Sequence, residues 1–359
     1  MSMMLRLRRF AVGPVIALAL AATDVHATAQ RTFVASTGLD TNACSLMQPC
    51  RSFNAALAQA NVGGEVIVLD SAGYGEFTVT KSVTITAPVG VYAGISVPAA
   101  TNGVTVDAPG AIVVLRGLTI VGLSVSVTDG IHFSQGAELH VERCEMRALL
   151  NGIYADLTGG AMLYIKDSTV TSNFQGVWLH GNGHASFDHV RLSFNFEFSI
   201  YLDNMSDAAL SNIEVDNSED ILVSSDANST TVAISRSRMA SSCGEGLFIT
   251  ATNVAISAIA TDTQFAGDNR GCSGGAVGVE DFGGGTARVW LVRDTFTGNQ
   301  GAVYTVGPGA VAYLDGSLFI SNPSTSFGID AAGGPIYTRQ NNTIRGTTIS
   351  PNFLPYSAQ

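Results

Sequence analysis

One apolar position recurs along this sequence at intervals of mostly 22 to 26 residues, with one longer step between Phe265 and Phe296. The residues at this anchor position are Ile120, Met146, Val170, Leu192, Val215, Met239, Phe265, Phe296, Phe319 and Ile344. A repeat of this length indicates stacked units, because no single unit buries its apolar face alone. The sequence therefore predicts a solenoid.

Each repeat contains three short segments in which inward residues alternate with outward ones, which is the period of a β-strand. A second apolar set precedes the anchors: Val141, Ile165, Phe187, Leu210, Ile234, Leu291 and Leu314. A third set follows them: Ile153, Val177, Ile200, Ile221, Leu247, Val277 and Val303. The sequence has neither the fixed consensus of leucine-rich repeats nor the 3.6-residue period of helical repeats. It predicts an all-β fold, a right-handed parallel β-helix with three strands in each rung.

Asparagine recurs three residues after the anchor in four rungs, as Asn173, Asn195, Asn299 and Asn322. Asn tolerates the left-handed backbone conformation that a sharp corner needs. Stacked amides at one corner can also bond to each other along the solenoid. We interpret these residues as a structural ladder, with a ligand site as the alternative.

The first 29 residues have the pattern of a cleavable signal peptide. Arginines at 6, 8 and 9 precede a short apolar run, residues 10–22, and a small-x-small cleavage site ends at Ala29. The run is short for a membrane span. The mature protein is therefore expected to be exported, either secreted or periplasmic, with no membrane insertion after the signal is removed.

Behind the signal peptide, the sequence divides into three parts. Residues 30–65 are expected to form an N-terminal cap, with a short helix within 51–60 that covers the first rung. Residues 66–345 are predicted to form the β-helix, and residues 346–359 an irregular tail. Solenoid ends expose apolar core and need such caps.

Export makes disulfides possible for the five cysteines. Cys44 and Cys50 lie close together in a polar segment and are expected to close a small loop. Cys243 and Cys272 are about one rung apart, so stacking would bring them together. Cys144 falls on a core-facing position and is predicted to be a buried, inert thiol.

The formal net charge is −11, and the sequence pI is about 4.9. An acidic surface does not attract nucleic acid or an anionic membrane, so neither is expected as a partner. Only 13% of residues are charged and 46% are hydrophobic, which suits a large β core.

The region "TFVASTGLDTNACSLMQPCRSFNAALAQANVGGEVIVLDSAGYGEFTVTKSVTI" resembles secreted bacterial β-helix repeat proteins of the pectin-lyase-like superfamily. The matching features are Gly38, Asp40, Asn42, the Pro49-Cys50 pair, the capping helix and "GYGEFTVTKSVTI". The resemblance covers essentially the whole mature chain. It implies the β-helix fold and a superfamily of polysaccharide lyases, hydrolases, epimerases, phage tailspikes and adhesins. No stretch matches the lyase calcium and arginine arrangement or the polygalacturonase acid motifs, so it implies no single activity.

The third strand of the repeat presents two outward columns. The first is predicted to contain His132, Tyr154, Trp178, Tyr201, Leu222 and Phe248, and the second Ser134, Asp156, His180 and Asp203. Sugar rings stack on aromatic rings, so this face is a candidate polysaccharide site, with His132, Tyr154, Trp178, Tyr201 and Phe248 binding the substrate. Two alternatives stay open. In the first, the aromatic side chains lie under a loop or at a subunit contact. In the second, Asp156 and Asp203 cap turns.

Asp156, His180 and Asp203 are the candidate catalytic residues. Carboxylates two rungs apart are roughly 9 to 10 Å apart, at the upper edge of the separation used in inverting glycoside hydrolysis. The columns contain no Lys or Arg beside a base, so a glycoside hydrolase fits better than a lyase or epimerase. The runner-up is a non-catalytic adhesive β-helix that binds another protein. No cofactor is expected, although residues 38–42 could bind calcium through oxygen ligands or form an Asx turn. The sequence leaves the glycan and the oligomeric state open.

Overall fold

The computed structural model describes residues 29–123, 128–240, 244–267, 275–322, 329–349 and 353–356. In these ranges the chain coils into three sheets whose paired strands are all parallel, which we call sheets A, B and C in the order in which a rung passes through them. Each rung contributes one strand to each sheet, and the next rung stacks on it. The predicted all-β parallel β-helix is confirmed, with about ten turns.

Sheet A has 14 described strands: Ala29–Val34, Ala60–Val68, Val83–Thr86, Ile112–Arg116, Glu138–Glu142, Met162–Lys166, His184–Asp188, Asp207–Ser211, Thr230–Ser235, Ala255–Thr261, Thr286–Val292, Ala310–Asp315, Ile336–Thr338 and Phe353–Pro355. Sheet B has 12: Ala72–Gly73, Ala93–Val97, Leu118–Gly122, Glu145–Arg147, Thr169–Thr171, Arg191–Ser193, Glu214–Asp216, Arg238–Ala240, Gln264–Ala266, Thr295–Thr297, Leu318–Ile320 and Thr343–Arg345. Sheet C has 11: Phe77–Val79, Val104–Asp107, Asp129–Gln135, Asn151–Asp156, Gln175–His180, Phe198–Asp203, Ile221–Ser225, Leu247–Ala251, Val277–Asp281, Val303–Val306 and Ile329–Ala332.

The inward columns form one continuous core. The sheet B anchors are buried from Ile120 to Phe319, and Ile344 packs against the core at the C-terminal end. Phe265, Phe296 and Phe319 stack with ring centroids 4.9 and 4.6 Å apart and planes tilted by only 6° and 5°. The register places like residues above one another, so each rung buries the apolar face of its neighbour.

The N-terminal cap contains helix Phe53–Gln59, inside the predicted segment. Ser52 caps it by accepting a hydrogen bond from the Ala55 amide, and Phe53 packs its ring 4.5 Å from that of Phe77. The only other described helix is the short 3₁₀ turn Thr158–Gly160, and no described helix is long and apolar enough to cross a membrane.

The sheets extend beyond the boundaries predicted for the β-helix. Strand Ala29–Val34 pairs with Ala60–Val68, so sheet A includes most of the first strand's residues in the predicted cap segment. Strand Phe353–Pro355 pairs with Ile336–Thr338, so the prediction of an irregular tail is wrong for these residues. The signal-peptide prediction falls on residues 1–28, outside the described residues, and on Ala29, the first residue of sheet A.

Cys44 and Cys50 form the predicted disulfide, with Cα atoms 4.6 Å apart. Cys144 is 2% exposed, and burial raises the pKa of its thiol to about 11, as expected of an inert core cysteine. The predicted pairing of Cys243 with Cys272 lies outside the described residues.

The asparagine ladder is confirmed as a hydrogen-bonded, buried corner. The Asn195 Oδ1 accepts from both the backbone and the side-chain nitrogens of Asn173, and the Asn195 Nδ2 donates to the Val170 carbonyl. The assignment of left-handed backbone to these asparagines is wrong. The preceding residues adopt it, as in Ser172 and Phe194, because the bend must occur before the side chain turns inward.

Replacing Asn195 with alanine is expected to lower the free energy of unfolding by about 1–3 kcal/mol, because it leaves the buried Asn173 donors without their acceptor. Urea unfolding measures the loss. Asn195→Ser is the matched control, since Ser218 accepts the same kind of bond one rung later, from the Asn195 amide. A serine variant as unstable as the alanine variant would contradict the hydrogen-bonding role.

Candidate functional site

Four successive rungs of sheet C place a ring side chain in one outward column, which we call the aromatic column: His132, Tyr154, Trp178 and Tyr201. Neighbouring ring centroids are 5.2, 5.3 and 5.8 Å apart along the column. Trp178 meets Tyr154 edge-to-face at 89° and Tyr201 nearly parallel at 19°. Each ring is half-buried, and Leu222 and Phe248 continue the column in register.

Trp178 turns its polar edge inward. Its Nε1 is buried and has no hydrogen-bond partner among the described residues. A buried unpaired donor costs about 1–3 kcal/mol, so folding stability alone does not account for a tryptophan here. What Trp178 offers to the outside is the apolar surface of its ring.

The second outward column brings Asp156, His180 and Asp203 into register on adjacent strands. The His180 Nδ1 lies 2.7 Å from the Asp203 Oδ2, so the carboxylate orients the imidazole and leaves Nε2 for other partners. Asp156 accepts a hydrogen bond from the Thr158 amide, as the turn-cap alternative expects. The structure therefore brings the three candidate catalytic residues into one column, and their catalytic role stays a prediction.

The strand starts add a third set of polar side chains to this face. Asp129 accepts hydrogen bonds from Asn151 Nδ2 at 2.7 Å and contacts His132 Nδ1 at 2.6 Å through its other oxygen. The His132 ring at the end of the aromatic column is thus fixed by a carboxylate. Ser134, the first residue predicted for the second column, donates to the Val106 carbonyl.

Further carboxyl groups on the same face were not predicted from the sequence. Tyr304 donates a hydrogen bond to the Glu245 Oε1 at 2.9 Å, and Glu280 follows Thr250 in the second column. The pKa values of Glu245 and Glu280 are both raised, and burial is the main reason. Gly278 makes room, because a Cβ there would lie 2.6 Å from the Tyr304 Oη. Extending the second column three rungs past Asp203, through Ser224 and Thr250, would have found Glu280.

Exposed phenylalanines lie at the neighbouring corner between sheets B and C. Phe174, Phe194 and Phe196 are 42%, 60% and 72% exposed, and Phe174 and Phe196 stack at 5.5 Å. The ring centroid of Phe198, the next aromatic residue, lies 5.1 Å from that of Tyr201, so Phe198 connects this corner to the aromatic column. The apolar surface therefore extends past the face that the sequence singled out.

Replacing Phe194 with asparagine is expected to raise the free energy of unfolding by about 1 kcal/mol. Phe194 has φ 55°, a strained conformation for a bulky residue, and Asn217 adopts it at the same position one rung later with φ 48°. Urea unfolding measures the gain. Phe196→Asn is the control, since Phe196 has no positive φ and should gain nothing. A loss in Phe194→Asn would mean that its ring packs against the fold.

The calcium alternative centres on Asp40, whose carboxylate is already occupied within the protein. Its Oδ1 accepts the Arg51 and Ser52 amides at 2.8 Å, and its Oδ2 accepts the Ser52 hydroxyl. These bonds join residues 11 and 12 positions apart, so they are not the local bonds of an Asx turn. In the part of the chain that the structure describes, no three His, Cys, Asp or Glu residues are grouped as metal ligands.

Comparison with known proteins bears on the fold. Residues 129–273 match the family model described as the right handed beta helix region. The catalytic unit of a thermostable GH87 alpha-1,3-glucanase from Streptomyces thermodiastaticus strain HF3-3 has a similar structure, with 18% identity and a TM-score of 0.53; the match covers 84% of this chain and 62% of that one. A GH87 alpha-1,3-glucanase catalytic domain in complex with tetrasaccharides matches with 11% identity and a TM-score of 0.52, over 86% and 67%. No curated protein matches the sequence. At these identities the likeness confirms the right-handed β-helix and leaves the activity open.

Proposed function

We propose that this protein is an exported polysaccharide-binding β-helix whose ligand lies along the outer face of sheet C. The observation that carries the proposal is the aromatic column, four consecutive rungs of rings with carboxylates on either side. Sugar rings have apolar faces that stack on aromatic side chains, and their hydroxyl groups donate to carboxylates and imidazoles. The unpaired indole N–H of Trp178 supports a role other than packing.

Export is the cellular context of this proposal. The signal-peptide pattern of residues 1–29 and the Cys44–Cys50 disulfide support it, because disulfides persist in oxidising compartments. The ligand would then be an extracellular or cell-wall glycan.

Hydrolysis of the bound glycan is the second part of the proposal. The His180–Asp203 hydrogen bond favours it, since an oriented imidazole can share a proton with a carboxylate. Asp156 lies two strand spacings from Asp203, roughly 9–10 Å, which leaves room for a water molecule as in inverting hydrolysis. The described strands of sheet C contain no Lys or Arg to neutralise a uronate, which disfavours a lyase or an epimerase.

The test is a panel of neutral glycans and uronans incubated with the purified protein. Binding, new reducing ends and the absorbance of unsaturated products are measured together. Binding with reducing ends supports hydrolysis, which Asp203→Asn should abolish while binding remains. Binding without products reduces the protein to a lectin-like module, and unsaturated products would overturn hydrolysis in favour of a lyase.

The runner-up is an adhesive role in which the exposed phenylalanines contact another protein. The exposure of Phe194 and Phe196 favours it. In that case no glycan in the panel binds, and Phe196→Ser, rather than Trp178→Ala, reduces attachment of the labelled protein to cells. The two roles are thus separated by which aromatic group the attachment requires.

A further inference from the structure

The outer face of sheet C carries negative charge without positive charge. None of its described strands, from Phe77–Val79 to Ile329–Ala332, contains Lys or Arg. Carboxyl groups recur along it in the rungs of the aromatic column and beyond: Asp129, Asp156, Asp203, Glu245 and Glu280. Any ligand on this face therefore meets acceptors and anions, and no cationic side chain of these strands.

Three basic side chains outside the strands of sheet C have partners within the protein. Lys81, in the turn that follows Phe77–Val79, donates to the Ala60 carbonyl at 2.6 Å. Arg147, at the end of a sheet B strand, contacts the Glu145 carboxylate at 3.2 Å. On sheet A, Arg116 likewise bonds Glu142 at 2.7 Å. These three cationic groups therefore have acceptors outside the strands of sheet C.

We propose that the outer face of sheet C binds uncharged polysaccharides and rejects chains that carry uronate groups. This inference rests on the proposed function and names the chemical class of its ligand. Neutral sugars bring hydroxyl donors, which the carboxylates and His180 accept, and apolar ring faces for the aromatic column. A uronate would bring a third negative charge between Asp156 and Asp203. These side chains are partly buried, so like charges repel more strongly there than in water.

The negative charges of this face also affect the pKa values of Tyr154 and Tyr201. Burial first, and then the charges of Asp156, Asp129 and Asp203, raise the pKa of the Tyr154 hydroxyl. Burial and the Asp203 charge likewise raise the pKa of Tyr201. Burial and the neighbouring carboxylates together disfavour a phenolate at these positions, and both also disfavour a uronate bound beside them.

The experiment compares one glycan with its own oxidised form. A neutral oligosaccharide that binds in the panel is oxidised at its primary alcohols, which converts C6 to carboxylate and keeps backbone and linkage. The oxidised chain is expected to bind about tenfold more weakly or worse at low salt, and the difference should shrink as salt screens the repulsion. Neutral-chain affinity should not change with salt.

Thr250→Lys adds a cation to the second column, between Ser224 and Glu280, and should recover part of the affinity for the oxidised chain. Ser257→Lys adds the same charge to an outward position of sheet A, in register with Thr231 and Arg288, and should recover none. Comparison of the two variants distinguishes a local electrostatic effect on sheet C from an effect of the protein's net charge.

The outcomes separate the two proposals. A uronate chain that binds as tightly as its neutral parent, with Trp178→Ala weakening both, overturns the charge selection and leaves the proposed function standing. Weak binding of the oxidised chain that salt does not relieve also overturns it, because the cause is then steric. If no glycan of either kind binds, the proposed function fails and this inference fails with it.

Discussion

Trp178→Ala is expected to weaken glycan binding by about thirtyfold or more, which corresponds to about 2 kcal/mol, the range of a buried aromatic contact at the centre of a binding site. Trp178 stands between Tyr154 and Tyr201, so its removal interrupts the column at its middle. Isothermal titration calorimetry with the best ligand of the panel measures the change. Circular dichroism should show the β-helix intact, because the inward residues of the strand are unchanged.

The chain supplies its own control, since it contains only two tryptophans. Trp290 holds an equivalent outward position on sheet A, in register with Ile259 and Tyr313, and stacks on Tyr313 at 5.1 Å. Trp290→Ala should lose comparable packing and leave glycan affinity unchanged. Equal losses of affinity in both variants would mean that the effect is general destabilisation or that the binding face is wrongly assigned.

Trp290→Phe also leaves Trp178 as the sole tryptophan, so its fluorescence reports on that ring alone. Addition of ligand should shift or quench this emission if the glycan stacks on the column. Unchanged emission at saturating ligand would place binding elsewhere on the solenoid and contradict the proposed site.

The inward half of this molecule is predictable from sequence because the same constraint acts in every rung. Ile120 and Phe296 occupy one column, and a one-residue slip would move either into solvent. The register of the outward columns follows from the same alternation, which is why Tyr154, Trp178 and Tyr201 align as predicted.

The side-chain contacts at the corners and strand ends do not repeat from rung to rung, so the sequence period does not predict them. Gly278 allows Tyr304 to reach back to Glu245, a residue 59 positions away. The pairing of Asp156 with its own turn and of Asp203 with His180 is decided by side-chain rotamers at the strand ends. The roles of these carboxyl groups therefore could not be assigned from their spacing.

Asp294 is a further residue whose role its spacing does not reveal. It lies at the corner between sheets A and B and is 1% exposed. Its Oδ1 accepts the Thr263 amide at 2.8 Å, and its Oδ2 has no partner among the described residues. Burial raises the pKa of Asp294 to about 7. In the same column, the Ser317 hydroxyl donates to the Leu291 carbonyl and the Asn342 amide to the Leu314 carbonyl. A charged Asp294 has no proton with which to make the bond that Ser317 and Asn342 make to a carbonyl.

Asp294→Asn is therefore expected to stabilise the protein at pH 8 by up to about 4 kcal/mol, because burial raises the pKa of Asp294 from 3.8 to about 7. Between pH 4 and 7 the unfolded chain releases this proton while the folded chain retains it, so the wild-type protein loses stability as pH rises and the variant does not. Urea unfolding from pH 4 to 8 measures the difference. Asp262→Asn is the control with the opposite sign, because Arg293 lowers the pKa of Asp262 and its contribution is lost as pH falls. A difference between wild type and Asp294→Asn that stays constant from pH 4 to 8 would mean that Asp294 folds in its charged form, with a partner that holds the charge.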